Sequence, residues 1–434
     1  MASKDSKDVR PPPLKEVRDL QALLAAQLAD GEEVEKFDAK PATALGDNYG
    51  STMLALDIVI RKKSSQAGDG GDATRRHLHT FCKMLPDDPE RRAIFSVEVT
   101  FFKELEMYTL AVPAMLQLQQ DCGVPEEDLV SHLVPQCYGG RVSLSGLPGA
   151  AVDEDAAILL EDMRQRGFGT GNRVVGLDLE DAKLVLEKLA VLQALGVALR
   201  NKRPQVYADT VQRACRDFQM GGDGTAEFED SAAKFAACIL HNVNKSERAR
   251  RHHDAVAKVC AESGLGRDEK FPDAREPFAT IFHNDLWTNN MLLRRDEAGK
   301  PQQVAFIDFQ MSRINSPFKD VLFFLFSSVQ SEACAAHLDE LVALYHASFV
   351  RTLAQCGVDT APFSLAAAWR EIDELARSEL FHILTMLRWI TADPATIRDN
   401  PDTFVFMLEL GGEAYARKVE HTVCTFAERG WLDA

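Results

Sequence analysis

Ile281-Phe282-His283-Asn284-Asp285-Leu286-Trp287-Thr288-Asn289-Asn290-Met291-Leu292-Leu293 is followed, after a charged turn from Arg294 to Lys300, by Val304-Ala305-Phe306-Ile307-Asp308-Phe309-Gln310. An aspartate stands five residues ahead of an asparagine, and an apolar strand then ends in Asp-Phe. This order and spacing imply a phosphoryl-transfer site. On its loop, Asp285 is placed to accept a hydrogen bond, and later a proton, from an acceptor hydroxyl. Asn290 offers a neutral oxygen and Asp308 an anionic one, a donor set suited to magnesium, with nucleotide phosphates and water completing the octahedron. Taken singly, each residue has a plainer reading. His283 would be a hydrogen-bonded structural histidine, Asp308 a strand-end turn residue and Asn290 a helix cap. The joint pattern argues against those readings.

Working outward, Thr52 to Arg61 alternates as a strand, with Leu54, Leu56, Ile58 and Ile60 on one face. A charged, glycine-rich hairpin loop from Lys62 to Arg76 leads to a return strand, His77 to Leu85. Lys83 interrupts that strand, where it would reach the α and β phosphates; the plainer reading is a solvated edge lysine. Pro89 to Leu110 reads as a helix whose glutamate would brace Lys83. Helical phase favours Glu98, inside the aromatic stripe of Phe95, Phe101, Phe102, Leu105 and Tyr108, over Glu104 at its edge, without settling the choice. The turn containing Gly46, Asn48, Gly50 and Ser51 would fold backbone N–H groups over phosphates, or serve as an ordinary hairpin turn. Strand-like runs follow at Leu133–Tyr138 and Ala156–Leu160. Ile158 to Met163 reads as a buried strand running into an interlobe linker able to bond adenine, or as a simple strand end.

Leu14 to Leu28 is helical in pattern. Beyond residue 165 helices dominate, at Leu177–Arg200, Ala226–Cys260, Ala333–Cys356, Leu365–Ile390 and Thr403–Phe426. The expected architecture is α+β, a two-lobed protein-kinase-like fold with a strand-rich N-lobe and a mainly helical C-lobe. Residues 1–13, ending in three prolines, form a flexible arm, 14–165 the N-lobe and 166–434 the C-lobe. Asp320 caps a helix in the plainer reading and locks the backbone around His283 in the kinase reading.

The chain has 434 residues, 46% hydrophobic and 26% charged, with a formal net charge of -17. Such an acidic surface argues against nucleic-acid binding and against docking on an anionic membrane. The longest membrane-like stretch, Val321 to Val329, falls far short of the roughly 20 residues a spanning helix needs. Met1 to Arg10 has no apolar core of a secretory signal. Nine cysteines without a CxxC pair read as reduced thiols, hence a cytoplasmic protein without a zinc site.

Seven segments, in order, resemble the ecdysteroid kinase-like (CHK kinase-like) family, related to choline kinases and aminoglycoside phosphotransferases. They are GDNYGS at 46–51, FCKMLP at 81–86, FFKELEMY at 101–108, PQCYGG at 135–140, ILLEDMRQRGF at 158–168, HNDLWTNN at 283–290 and FIDFQ at 306–310. The resemblance implies Asp285 as base, Asn290 and Asp308 as metal ligands, and Lys83 as the phosphate lysine. Its E-x-x-x-Y pattern selects Glu104, with Tyr108, as the brace. Residues from Glu161 to Met163 become the adenine linker. Two departures stand out: Asn284 replaces a frequent glycine, as in the choline-kinase branch, and Gln193 replaces a usual histidine, which bears on the acceptor site.

The expected function is ATP- and magnesium-dependent phosphorylation of a small-molecule hydroxyl, steroid-like or choline-like. Trp287 would line the acceptor pocket or belong to the core. Two other classes compete. A catalytically silent nucleotide- or ligand-binding relative would have lost Lys83, Asp285 or Asp308. A protein kinase would need a peptide-docking segment, for which the twelve residues from Asp308 to Asp320 leave little room.

Overall fold

The computed structural model describes residues 15–42, 51–62, 74–147, 149–219, 226–262, 275–399 and 406–433. The proline arm, most of the Lys62–Arg76 loop, and Gly46, Asn48 and Gly50 lie outside the described residues. An antiparallel five-stranded sheet is formed by β1 (Glu32–Pro41), β2 (Thr52–Lys62), β3 (Arg75–Met84), β4 (Cys137–Arg141) and β5 (Ala157–Glu161), in the order β1-β2-β3-β5-β4. Side chains alternate across each strand, so the sheet divides between two cores. Leu54, Leu56, Ile58, Ile60, Cys82, Met84, Ala157 and Leu159 face Val17, Leu20, Leu23 and Leu24. Ile158 and Leu160 face the large core of the helical part. Lys83, between Cys82 and Met84, therefore points to the second side, opposite Met53 on β2 and Ile158 on β5.

Three expectations need correction, and one strand was not foreseen. The Leu14–Leu28 helix is one α-turn, Leu20–Leu23, followed by a 3-10 turn, Ala25–Gln27. β1, with no apolar alternation to announce it, is an edge strand whose residues are exposed or half-buried. It is laced to the sheet by charge, Arg76 to Glu32 at 2.8 Å and Arg75 to Glu35 at 2.7 Å. The run Pro89–Leu110 is not one helix. A turn at Pro89–Ile94 stops before Ser96, which has φ 47°, and α1 (Val97–Glu106) then passes through a π-turn, Met107–Ala111, into α2 (Val112–Asp121). Pro113 lacks the N–H an α-helix needs there and its ring crowds the carbonyl four residues back, which the wider turn relieves. The strand expected at Leu133–Tyr138 is displaced to β4, because Leu133 and Val134 enter the helical core instead.

The remainder is mainly helical: α3 (Leu179–Lys202), α4 (Ala226–Val243), α5 (His253–Glu262), α6 (Phe318–Ser327), α7 (Ser331–Gln355), α8 (Leu365–Thr391) and α9 (Gly412–Glu428). Asp178 caps α3 by accepting from the Asp181 N–H at 2.9 Å. α3 lies along α7, and α6, buried along its whole length, packs on α8. Two small sheets carry the loops of interest: β6 (Phe168–Thr170) with β8 (Met291–Arg295) and β9 (Pro301–Phe306), and β7 (Thr280–Phe282) with β10 (Arg313–Asn315). Gly196 lets α3 approach β7 closely, since a Cβ there would lie 2.4 Å from Thr280 Oγ1. No helix among the described residues is long and apolar enough to cross a membrane.

Candidate active site

β7 delivers His283 to Asp285 into a loop, and the β8–β9 hairpin closes the loop's far end. The pairing of Met291 with Phe306 sets Asn290 beside Ile307 and Asp308, and the Ile307 N–H donates to Asn290 O at 3.1 Å. Asn290 Nδ2 donates to the Asp285 backbone oxygen at 2.8 Å and to Asp285 Oδ2 at 2.9 Å. Its Oδ1 is thereby left as the atom able to meet a cation. Trp287 is buried and packed in the main core, so it does not present an open aromatic face. Burial, and then the Asp308 charge, push the Asp285 carboxyl well above the usual carboxylate range.

Asp320, in the first turn of α6, holds the loop's backbone. Its oxygens accept from the N–H of His283 (2.7 Å) and of Asn284 (3.0 Å), and from Gln193 Nε2 (2.8 Å). Burial lifts Asp320 to about 8 against these donors. His283 is buried, and its Nε2–H donates to Ile307 O at 3.0 Å, tying the loop to the end of β9. Burial lowers its imidazole to about 4, so it is neutral at pH 7 and structural in chemistry. Asn284 has φ 65°, the left-handed region that glycine and asparagine tolerate, which accounts for an asparagine where glycine is frequent.

Gln193 is the residue whose importance the sequence understated. Besides Asp320, its Nε2 donates to Ile281 O at 3.1 Å, and its Oε1 accepts from Tyr345 OH at 2.6 Å. It sits in the core under the loop, not in an acceptor pocket. A polar residue one turn beyond Leu189 on the apolar seam of α3 was the available signal.

On the other side, Lys83 Nζ lies 2.5 Å from Glu104 Oε2 and 2.7 Å from Asp308 Oδ1, fully enclosed. Burial pulls the ammonium down, yet Asp308 and Glu104 outweigh it and hold Lys83 above its ordinary value. Burial raises Glu104 against the pull of Lys83. Glu98, favoured by phase, is exposed. Tyr108 packs edge-on against Phe309, with ring centroids 5.6 Å apart, at the base of the same cluster. Asp308 beside Lys83 and Asn290 on the adjoining loop offer oxygen donors only, a hard set whose chemistry suits magnesium better than zinc.

Glu161 ends β5, and its N–H donates to Gln136 O at 2.8 Å. Met163 is buried and opens a 3-10 turn, Met163–Arg166, capped by Asp162. Ser51, half-buried at the start of β2, is the part of the expected phosphate turn among the described residues. From Phe309 to Asn315 the chain is buried except for half-buried Ile314, so no exposed peptide-docking segment separates Asp308 from Asp320.

Residues 45–358 match the model of the ecdysteroid kinase-like family. The chain belongs to the ecdysteroid kinase-like family. This membership, with the antiparallel N-terminal sheet and helical C-terminal part, makes the fold protein-kinase-like and the chain a kinase-like protein. Among solved structures this family member is similar to a Plasmodium vivax ethanolamine kinase, at 11% identity and TM-score 0.29, covering 93% of this chain and 85% of that one. It is also similar to a GDP complex of a mutant aminoglycoside 2'-phosphotransferase IIIa, at 11% identity and TM-score 0.33, covering 89% and 99%. No curated protein matches the chain.

Proposed function

We propose that the protein is an ATP- and magnesium-dependent kinase that phosphorylates a hydroxyl of a small molecule, with steroid-like and choline-like alcohols as the candidate acceptors. The observation that carries the reading is Lys83, held between Glu104 and Asp308 while Asp285 and Asn290 bond each other on the adjoining loop. Residues 14–165 act as the nucleotide lobe and 166–434 as the lobe that supplies the base and receives the alcohol. Lys83, positioned by Glu104, binds the α and β phosphates, Gly46, Asn48, Gly50 and Ser51 cover them, and the backbone from Glu161 to Met163 meets the adenine. Asn290 and Asp308 would hold magnesium, which when bound neutralises charge on the β and γ phosphates.

Asp285 accepts the acceptor hydroxyl's proton as that oxygen forms its bond to the γ-phosphorus, and the bond from phosphorus to the β–γ bridging oxygen breaks, releasing ADP. His283 and Asp320 keep the loop in place without touching the reactants. The unpaired state of all nine cysteines supports action in the cytoplasm. Incubation with γ-labelled ATP and a metabolite extract, followed by identification of the labelled product, tests the reading. A labelled small alcohol that is absent from the Asp285→Asn reaction is expected, whereas no magnesium-dependent label with any fraction would overturn it.

A further inference from the structure

Glu104 and Glu106 stand two residues apart on α1, so their side chains leave the helix on opposite sides. Both are buried, and each carboxylate meets cations from a different part of the chain. Glu104 receives Lys83 from the sheet. Glu106 faces the helical part, where Arg213 Nε donates to its Oε1 at 2.6 Å and Arg216 Nη1 donates to its Oε2. Arg216 also donates to Arg213 O at 2.7 Å, which keeps the two arginines together. The same stretch reaches further. Ser96, the residue before α1, donates its hydroxyl to Gln219 O. Lys103 Nζ lies 3.9 Å from the centre of the Phe218 ring, and the Arg313 guanidinium carbon lies 4.3 Å from it. Arg313 Nη2 donates to Phe218 O at 2.5 Å. Arg313 begins β10, a few residues after Asp308, and α1 itself packs on Phe309–Met311, the turn that follows Asp308. Residues 213–219 thus grip both chain segments that bring a carboxylate to Lys83.

We propose that residues 213–219 are a clasp on α1, in which Arg213 and Arg216 act through Glu106 as positioning residues that keep Glu104 seated on Lys83. A carboxylate buried without its cation is strongly destabilising, so α1 settles only where both glutamates are paired at once. The two ion pairs on opposite sides therefore fix the rotation of the helix. Without the arginines, Glu106 is left unpaired beneath the surface. The helix then turns it toward water and carries Glu104 away from Lys83, and the lysine loses its brace and opens to solvent. The consequence for ATP rests on the kinase reading; the contacts of the clasp do not.

Both arginine side chains are partly exposed, so the double variant Arg213→Ala/Arg216→Ala opens the clasp without removing a core side chain. The test treats the full-length protein, without nucleotide, with acetic anhydride and follows each lysine by peptide mass. Wild type should protect Lys83. The double alanine variant should label Lys83 about tenfold faster or more, the weight of a lost charge-assisted contact, while lysines away from α1 keep their wild-type rates. Arg213→Lys/Arg216→Lys keeps both charges and should restore most of the protection. In turnover, the KM for ATP should rise with the labelling rate and the KM for the acceptor should hold. Lys83 as protected in the double alanine variant as in wild type would overturn the proposal. A uniform rise across all lysines, the mark of general loosening, would overturn it too. Because the labelling uses no nucleotide, a wild type that protects Lys83 yet turns over no ATP would count against the kinase reading alone.

Discussion

Asn290 spends both hydrogens of its amide on Asp285, one bond to the backbone oxygen at 2.8 Å and one to the carboxylate at 2.9 Å. The expected metal ligand and the expected base are thus a single unit, and Asp285 cannot reorient without disturbing Asn290. Replacing Asp285 by Asn keeps the shape and removes the proton acceptor. Turnover should fall by roughly 10²–10⁴-fold, the usual weight of a general base. The KM for ATP should change little. Steady-state kinetics beside a circular-dichroism spectrum measures this, and turnover near wild type would remove Asp285 from the chemistry.

Glu104 and Glu98 separate more sharply. Glu104→Gln takes the negative charge from a fully buried partner of Lys83, and kcat/KM for ATP should drop by about tenfold or more, since a charge-assisted bond is worth about 1.5–3 kcal/mol. Glu98→Ala alters an exposed side chain and should leave stability within about 0.5 kcal/mol and kinetics unchanged. Equal effects of the two substitutions on ATP kinetics would mean that the brace is misassigned.

The same pair marks where sequence reading gives out. The loop from His283 to Asn290, the Asp-Phe strand end and Lys83 were legible as neighbours because each motif is local and its spacing is dictated by one loop or strand. The brace was not legible from phase, because Ser96 at φ 47° resets the helix and a stripe counted from Pro89 does not carry through to Glu104. β1 was missed because an edge strand wetted on both faces needs no apolar alternation. Gln193 was placed at the acceptor side by resemblance alone, whereas its burial depends on Tyr345 and Asp320, contacts made across 152 and 127 residues.

Gln193→Leu should therefore act on stability. It removes a donor from Asp320 and from Ile281 O, and an acceptor from Tyr345, within the core. A loss of about 1–3 kcal/mol is expected in urea unfolding, the cost of leaving buried polar groups unpaired. The KM for the acceptor should stay at the wild-type value. A selective rise in that KM without destabilisation would put Gln193 back at the acceptor.

Backbone geometry at Asn284 makes a finer test. At φ 65° glycine fits without strain, so Asn284→Gly should be close to neutral, losing only the long 3.3 Å bond to Met311 O. Asn284→Val forces a β-branched residue into the left-handed region, at a cost of about 1–2 kcal/mol, and shifts the neighbouring Asp285. Both stability and kcat should then fall. A valine variant as stable as the glycine variant would show that the loop is relaxed at this position.

His283 gives the pH dependence. In the unfolded chain its imidazole takes a proton near the ordinary value of 6.5, but in the fold burial holds it to about 4. Between those values His283 binds more protons in the unfolded chain, so its contribution to stability falls as the pH is lowered from 6.5 to 4. The displacement corresponds to about 3 kcal/mol at one histidine. His421 is lowered to about 4 in the same way, while Asp320, lifted to about 8, and Glu104, raised to about 7, slope the other way, so a variant must separate the His283 contribution. His283→Gln keeps an N–H able to reach for Ile307 O and does not titrate. Chemical unfolding at a series of pH values should show the variant losing about 3 kcal/mol less than wild type across this window. Parallel curves for the two proteins would mean that His283 is protonated in the folded state as readily as in the unfolded one, and that its burial beneath the loop is not maintained in solution.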